Sequence, residues 1–184
     1  MMLNGRLVLK NGTGDWVNGG AGVWIYKSDN TALLGFMGAQ NNQNIGFYGG
    51  PANGGWGFAY DAINSRVGIG TSTPTTSLEV NGYTKLGIDA PSIKTKKITG
   101  TTAATDGGYV EIYHGLNDAK ILSISMLVLN IGPGYADWYG PNTGGFGCNY
   151  YFRQASNWIL VQNRFGDSAG ILSRPIKVLL VYEE

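Results

Sequence analysis

The sequence predicts an all-β protein, and three observations carry that prediction. Gly makes up 30 of the 184 residues, no segment shows a convincing 3.6-residue apolar period, and short runs of alternating apolar residues are separated by Asn, Gly, Pro, Ser and Asp. Gly costs about 1 kcal/mol at a helix interior position, whereas a period of two gives a strand one apolar face. Charged residues are 14% of the chain against the ~25% of an ordinary soluble domain, aromatics are 12%, and the formal net charge is +1. No Lys/Arg excess is available to neutralise phosphates, which excludes the basic nucleic-acid-binding class. Cys148 has no second Cys to pair with, and with His114 it cannot assemble the three or four ligands of a His/Cys zinc site. No apolar run approaches the ~18 residues of a membrane helix, and Met1 to Arg6 lacks a signal-peptide core. The expectation is a chain made in the cytoplasm without a signal peptide, with no membrane insertion, no nucleic-acid partner and no cofactor.

The first part of the chain, residues 1–87, is dominated by a repeat. Val23-Trp24-Ile25, Leu34-Gly35-Phe36, Ile45-Gly46-Phe47, Trp56-Gly57-Phe58, Val67-Gly68-Ile69 and Leu78-Glu79-Val80 recur every 11 residues from 23 to 80, each with apolar residues at offsets 0 and 2. Each unit reads as a short strand showing one apolar face, and the intervening turn residues supply positive φ and local side-chain hydrogen bonds. Two apolar side chains per 11 residues do not offset ordering costs of ~1–2 kcal/mol per residue. This stretch is therefore expected to complete its interior with further copies of itself. The alternative is a small independent sandwich in which the spacing reflects ordinary hairpins.

Residues 88–108 read as a connector, with Pro91, the run Lys94-Thr95-Lys96-Lys97 and a Gly/Thr-rich stretch. The Lys cluster reads as a solvated face before an anion site. A head domain over 93–184 follows, with strands expected at Ile93 to Ile98, Tyr109 to His114, Lys120 to Asn130, Cys148 to Arg153, Trp158 to Gln162 and Arg174 to Tyr182. Residues 121–129 are apolar on both faces, which predicts a central strand covered on both sides, and 176–182 read similarly. The expected architecture is an antiparallel sandwich of six or seven strands.

The segment Val67-Gly68-Ile69-Gly70-Thr71-Ser72-Thr73-Pro74-Thr75-Thr76-Ser77-Leu78-Glu79-Val80-Asn81-Gly82 resembles the VGIGT-x-x-P-x-x-x-L-x-V-x-G element of bacteriophage tail fibres and related trimeric host-recognition proteins. It keeps the apolar, Gly and Pro positions over 16 residues. More loosely, Thr99-Gly100-Thr101-Thr102, His114-Gly115-Leu116, Lys120-Ile121-Leu122 and the ending from Ile171 to Val178 resemble fibre-tip domains. The resemblance implies an elongated, intertwined homotrimer with a slender shaft and collar and a β-sandwich tip. It also implies a place in the virion, and fibre or baseplate proteins as neighbours. Many chains with this motif continue into a self-cleaving chaperone with a Ser–Lys dyad and a helical region. The 102 residues after Gly82 show no helical pattern, so no autoproteolysis is expected.

His114 is the one general-base candidate near neutrality and reads as a structural hydrogen-bonding residue. Asp137 and Asp167 are the nearest approach to a glycosidase pair, but with 12 acidic residues such a pair arises by chance. No catalysis is expected. Residues 132–147 read as a long loop holding four aromatics, and long loops in compact domains are functional or disordered. Tyr135, Asp137, Trp138, Tyr139 and Asn142 combine flat apolar faces with hydrogen-bonding groups, which suits a sugar. The competing reading packs Trp138 and Tyr139 into the head or the trimer interface. Tyr150, Tyr151 and Trp158 fall in strands, which favours core or interface for them. The expected function is a non-enzymatic receptor-binding tip for a host surface glycan or protein. The alternatives are a capsule-degrading tailspike enzyme and a purely structural fibre segment.

Overall fold

The computed structural model describes residues 8–10, 20–49, 55–132, 134–142 and 147–184. The chain is all-β and divides into two compact units, Met1–Gly82 and Tyr83–Glu184.

The first unit is one sheet of six strands in strictly sequential order: β1 (Gly22–Tyr26), β2 (Leu33–Ala39), β3 (Asn44–Tyr48), β4 (Trp56–Asp61), β5 (Arg66–Ile69) and β6 (Leu78–Val80). Every 11-residue unit of the sequence forms one of these strands. The first five pair antiparallel, whereas β6 runs parallel to β5, with Val67 opposite Leu78 and Ile69 opposite Val80. Parallel neighbours ordinarily need a crossover of a dozen or more residues. Here β5 is four residues long, so the return is short. Buried Pro74 lies in it, and the Pro74 carbonyl accepts from Arg66 Nη1 at 3.2 Å.

Directly paired residues share a sheet face, so the register sorts the side chains. One face carries Val23 and Ile25, Met37, Ile45 and Phe47, Phe58 and Tyr60, Val67 and Ile69, and Leu78 and Val80. Two units depart from the simple repeat. Phe36 pairs with Trp24 and Tyr48, which puts Leu34 and Phe36 on the opposite face and leaves Met37 in their place. In β4 the register shifts, so that Tyr48 faces Trp56 while Phe47 faces Phe58. Gly57 is the inserted residue of a bulge, which re-aims side chains by one face. The reason for both departures lies on the opposite face. Phe36 stacks 4.8 Å from Trp24 and 6.1 Å from Trp56, and Trp56 lies 5.6 Å from Tyr48. A Cβ on Gly22 or Gly38 would strike the Phe36 ring, so these glycines let the ring lie flat on the sheet.

The second unit has seven strands in two sheets. β7 (Ile93–Thr101), β9 (Ile121–Gly132), β10 (Tyr135–Tyr139) and β13 (Pro175–Glu183) form one sheet in the order β10-β9-β13-β7, and β8 (Tyr109–Tyr113), β11 (Tyr150–Ala155) and β12 (Trp158–Asn163) form the other in the order β11-β12-β8. All pairings are antiparallel. The inner faces enclose one core of Met126, Val128, Ile176, Val178 and Leu180 from the first sheet and Ile112, Tyr150, Ile159 and Val161 from the second, with Cys148 and Ile171. The Tyr150 hydroxyl sits in this core, 3.0 Å from both the Met126 and Tyr139 carbonyls, so burying it leaves no unpaired donor.

The six strands expected in the head are present, and the structure corrects two other readings. The expected loop over 132–147 contains strand β10. Beyond the turn at Gly134 (φ 84°), Tyr135 to Tyr139 pairs back onto Gly132 to Val128. Gly and Pro around this segment hide its alternation in the sequence. The second correction concerns the strand over 121–129. β9 is central in its sheet, yet it is covered on one face only within the chain: Met126 and Val128 are buried, while Leu127 and Ile131 are exposed, as is Leu179 of β13. Apolar residues on both faces of a strand do not say whether the second cover comes from the same chain.

Candidate functional site

The hairpin β9–β10 carries the residues singled out in the sequence. Alternation along β10 separates them. Tyr135, Asp137 and Tyr139 pair with Gly132, Asn130 and Val128, on the side that continues into the core, and Trp138 pairs with Leu129 on the outer side. Tyr139 is half-buried against the core. Burial, then the neighbouring Asp137 charge, pushes its phenol pKa up. Trp138 is half-buried beneath Lys177, whose Nζ lies 3.5 Å from the ring centroid. Tyr135 and Asp137 are exposed, and Asn142, at φ 53°, is exposed beyond the strand. The structure thus brings Tyr135 and Asp137 to one side of the hairpin and puts Trp138 on the other. Of the expected loop, residues 143–146 lie outside the described residues.

The other titratable candidates are engaged in structure. Asp167 accepts from the Gly147 N–H at 2.6 Å and from Asn149 Nδ2, and these bonds hold its carboxyl below the usual range. Asp106 plays the same part with Ser168 Oγ and the Gly166 N–H. Both therefore stay ionised near neutrality and act as acceptors for turns. His114 is fully buried. Its Nδ1 accepts from the Leu116 N–H at 3.2 Å, and its own carbonyl accepts from Lys96 Nζ at 2.7 Å. Burial and the Lys96 charge lower its pKa, so the ring is neutral at pH 7. No group of three or more His, Cys, Asp or Glu able to hold a metal occurs among the described residues. Among the same residues no helix is long and apolar enough to cross a membrane.

A second surface, on the three-stranded sheet, was not picked out as a site from the sequence. The outer faces of β11, β12 and β8 align in three rows: Tyr151–Gln162–Tyr109, Arg153–Leu160–Glu111 and Ala155–Trp158–Tyr113. Tyr109, Tyr113 and Tyr151 are 61%, 68% and 44% exposed. Tyr150, by contrast, is wholly buried, so the adjacent tyrosines have opposite fates through strand alternation alone. The signal was present in Tyr109-Val110-Glu111-Ile112-Tyr113, where aliphatic residues alternate with aromatic and charged ones. What the sequence does not carry is the pairing that sets Tyr151 and Trp158 beside them.

The first unit contributes a different kind of surface. A groove of about 450 Å³ runs over Val23, Met37, Ile45, Phe47 and Phe58, and a neighbouring one of about 350 Å³ shares Met37, Phe47 and Phe58. Val23, Ile25, Met37, Ile45, Phe47, Ile69, Leu78 and Val80 are all 39% exposed or more on this single face. Large contiguous apolar surfaces are uncommon on soluble monomers. No protein-family model and no curated protein sequence matches the chain.

Proposed function

We propose that the chain is the receptor-binding tip of a phage-type tail fibre, working as a homotrimer that attaches to a bacterial surface without catalysis. The observation that carries this reading is the uncovered apolar face of the six-stranded sheet. Eight large apolar side chains on one face of one sheet, all 39% exposed or more, need a cover, and sister copies presenting the same face supply one. The VGIGT-type segment resembles a fibre collar and falls on β5, β6 and the turn between them, where Val67, Ile69, Leu78 and Val80 join that face. The outer face of the four-stranded sheet, where Leu127, Leu129 and Leu179 stand among Ser125, Lys97 and Lys177, offers a smaller apolar patch on the sandwich. Receptor contact then falls to what stays exposed: Tyr135, Asp137 and Asn142 on the hairpin, with Trp138 at its edge, and the aromatic rows of the three-stranded sheet. Each such site would be weak, and three copies on one tip would raise the avidity.

The test is mass and attachment measured on the same sample. Light scattering is expected to give three times the 19.6 kDa chain mass, and the labelled chain is expected to bind the surface of at least one strain in a bacterial panel. A species that stays at one chain mass and binds no strain overturns the reading.

A further inference from the structure

We infer that the outer face of the three-stranded sheet, centred on Leu160, is a binding platform for an uncharged glycan. This rests on the host-attachment reading and gives it a site and a ligand class. Leu160, 9% exposed, forms the floor. Tyr109, Tyr113, Tyr151 and Trp158 stand around it in the flanking rows. Two residues along a strand span about 6.7 Å and two strand spacings about 9.6 Å. Tyr109 and Tyr113 are therefore about 13 Å apart along β8, and the face measures roughly 13 Å by 10 Å. β-propensity explains why aromatic residues are in strands at all. It does not explain why the same face also carries Glu111, Arg153 and Gln162.

The chemistry selects the occupant. Sugar rings offer an apolar C–H face to an aromatic side chain and hydroxyls at the rim, and this surface has both complements. The phenol hydroxyls and Arg153 donate, and Glu111 accepts. Gln162 is held in place by its Nε2 bond to the Gly107 carbonyl at 3.2 Å, which leaves its side-chain oxygen for a ligand. Arg153 and Glu111 stand on the two outer strands of the sheet, in the same row on either side of Leu160. A polyanion lying across the face would meet Glu111 and a polycation would meet Arg153. A neutral polyhydroxylated chain meets no like charge and finds partners at both edges. A second copy of the chain is the poorer fit. Leu160 is the one aliphatic centre of this face, and most of the residues around it carry hydroxyl, amide or charged groups.

The experiment is native gel electrophoresis of the full chain through gels containing neutral polysaccharides (dextran, mannan, galactan, hydroxyethylcellulose), with alginate as the anionic comparison. At least one neutral gel is expected to retard the wild type. The double variant Tyr109→Ala/Tyr113→Ala is expected to bind at least tenfold more weakly, with unchanged circular dichroism and unchanged mass. Ile63→Ala, at an exposed turn residue of the first unit, is expected to behave as wild type. Retardation of the double variant equal to wild type, retardation by alginate alone, no retardation by any neutral gel, or a lower assembly mass in the double variant would each overturn the platform. Binding of the same protein to bacterial cells is scored in parallel. If cells are bound and the double variant binds them equally, the platform fails while the attachment reading stands.

Discussion

Phe47 of the six-stranded sheet and Val178 of the sandwich occupy comparable places. Each is an apolar residue within a strand that has neighbours on both sides. Phe47 is 52% exposed and Val178 is 1% exposed. Among the described residues, the first unit buries four apolar side chains, Phe36, Ala39, Tyr48 and Ala59, whereas the second buries thirteen. The strands of the second unit are longer, up to the 12 residues of β9 against at most seven in the first, but length alone does not bury a face. What separates them is layering. The second unit folds one sheet over another and so encloses its own core. Among the described residues the first has a single sheet, with a small aromatic cluster on one face and, on the other, an apolar field that Leu9 joins from outside the sheet. Strand formation and core formation are thus separable properties of a sequence.

The sharpest way to break this comparison is to separate the units. Residues 83–184 are expected to melt cooperatively alone, with a midpoint independent of concentration. Residues 1–82 are expected to show no cooperative transition when dilute. A concentration-independent melt of 1–82, followed by circular dichroism, would erase the distinction. Next in size, Phe47→Asp puts a charge in the middle of the open face and is expected to reduce the assembly to single-chain mass in light scattering. The same substitution would be nearly silent if that face met only water. Leu180→Ala in the enclosed core should lose about 2–5 kcal/mol at unchanged mass, read from denaturant unfolding. The smallest effect concerns His114. Its folded pKa is lowered, so the unfolded state takes up the proton first. The stability it confers is complete above the ordinary value of about 6.5 and is lost as pH falls below it. His114→Asn, which keeps an acceptor for the Leu116 N–H, should flatten the fall in melting temperature between neutrality and the onset of acid unfolding. Below that range the carboxylates of Asp61, Asp106 and Asp167, all with lowered pKa, lose their turn hydrogen bonds as they protonate.

Much of this architecture is legible in the sequence because strands leave a period of two and turns leave Gly, Asn and Pro. All six 11-residue units and the six expected sandwich strands are found. The limits are equally specific. At Leu34 and Phe36, aromatic stacking on Trp24 overrides the repeat. At Gly57 a bulge turns Trp56 and Phe58 to opposite faces, which an apolar-Gly-apolar pattern cannot reveal. The strand β10 is hidden in the sequence because Gly and Pro surround it. Of the candidate site, residue types and exposure at Tyr135 and Asp137 could be anticipated. The lateral grouping of Tyr109, Tyr151 and Trp158 could not, since it depends on pairing between strands tens of residues apart.

The strictly sequential order of β1 to β6 makes the sheet modular in steps of two. Removing 22 residues, two whole units, from the antiparallel part would join strands that still run in opposite directions through a short turn. Removing 11 would reverse the direction of every later strand, including the parallel β5–β6 pair that ends the sheet. Lineages carrying this sheet can therefore lengthen or shorten by pairs of units, so the number of rungs should vary among them while its parity is kept.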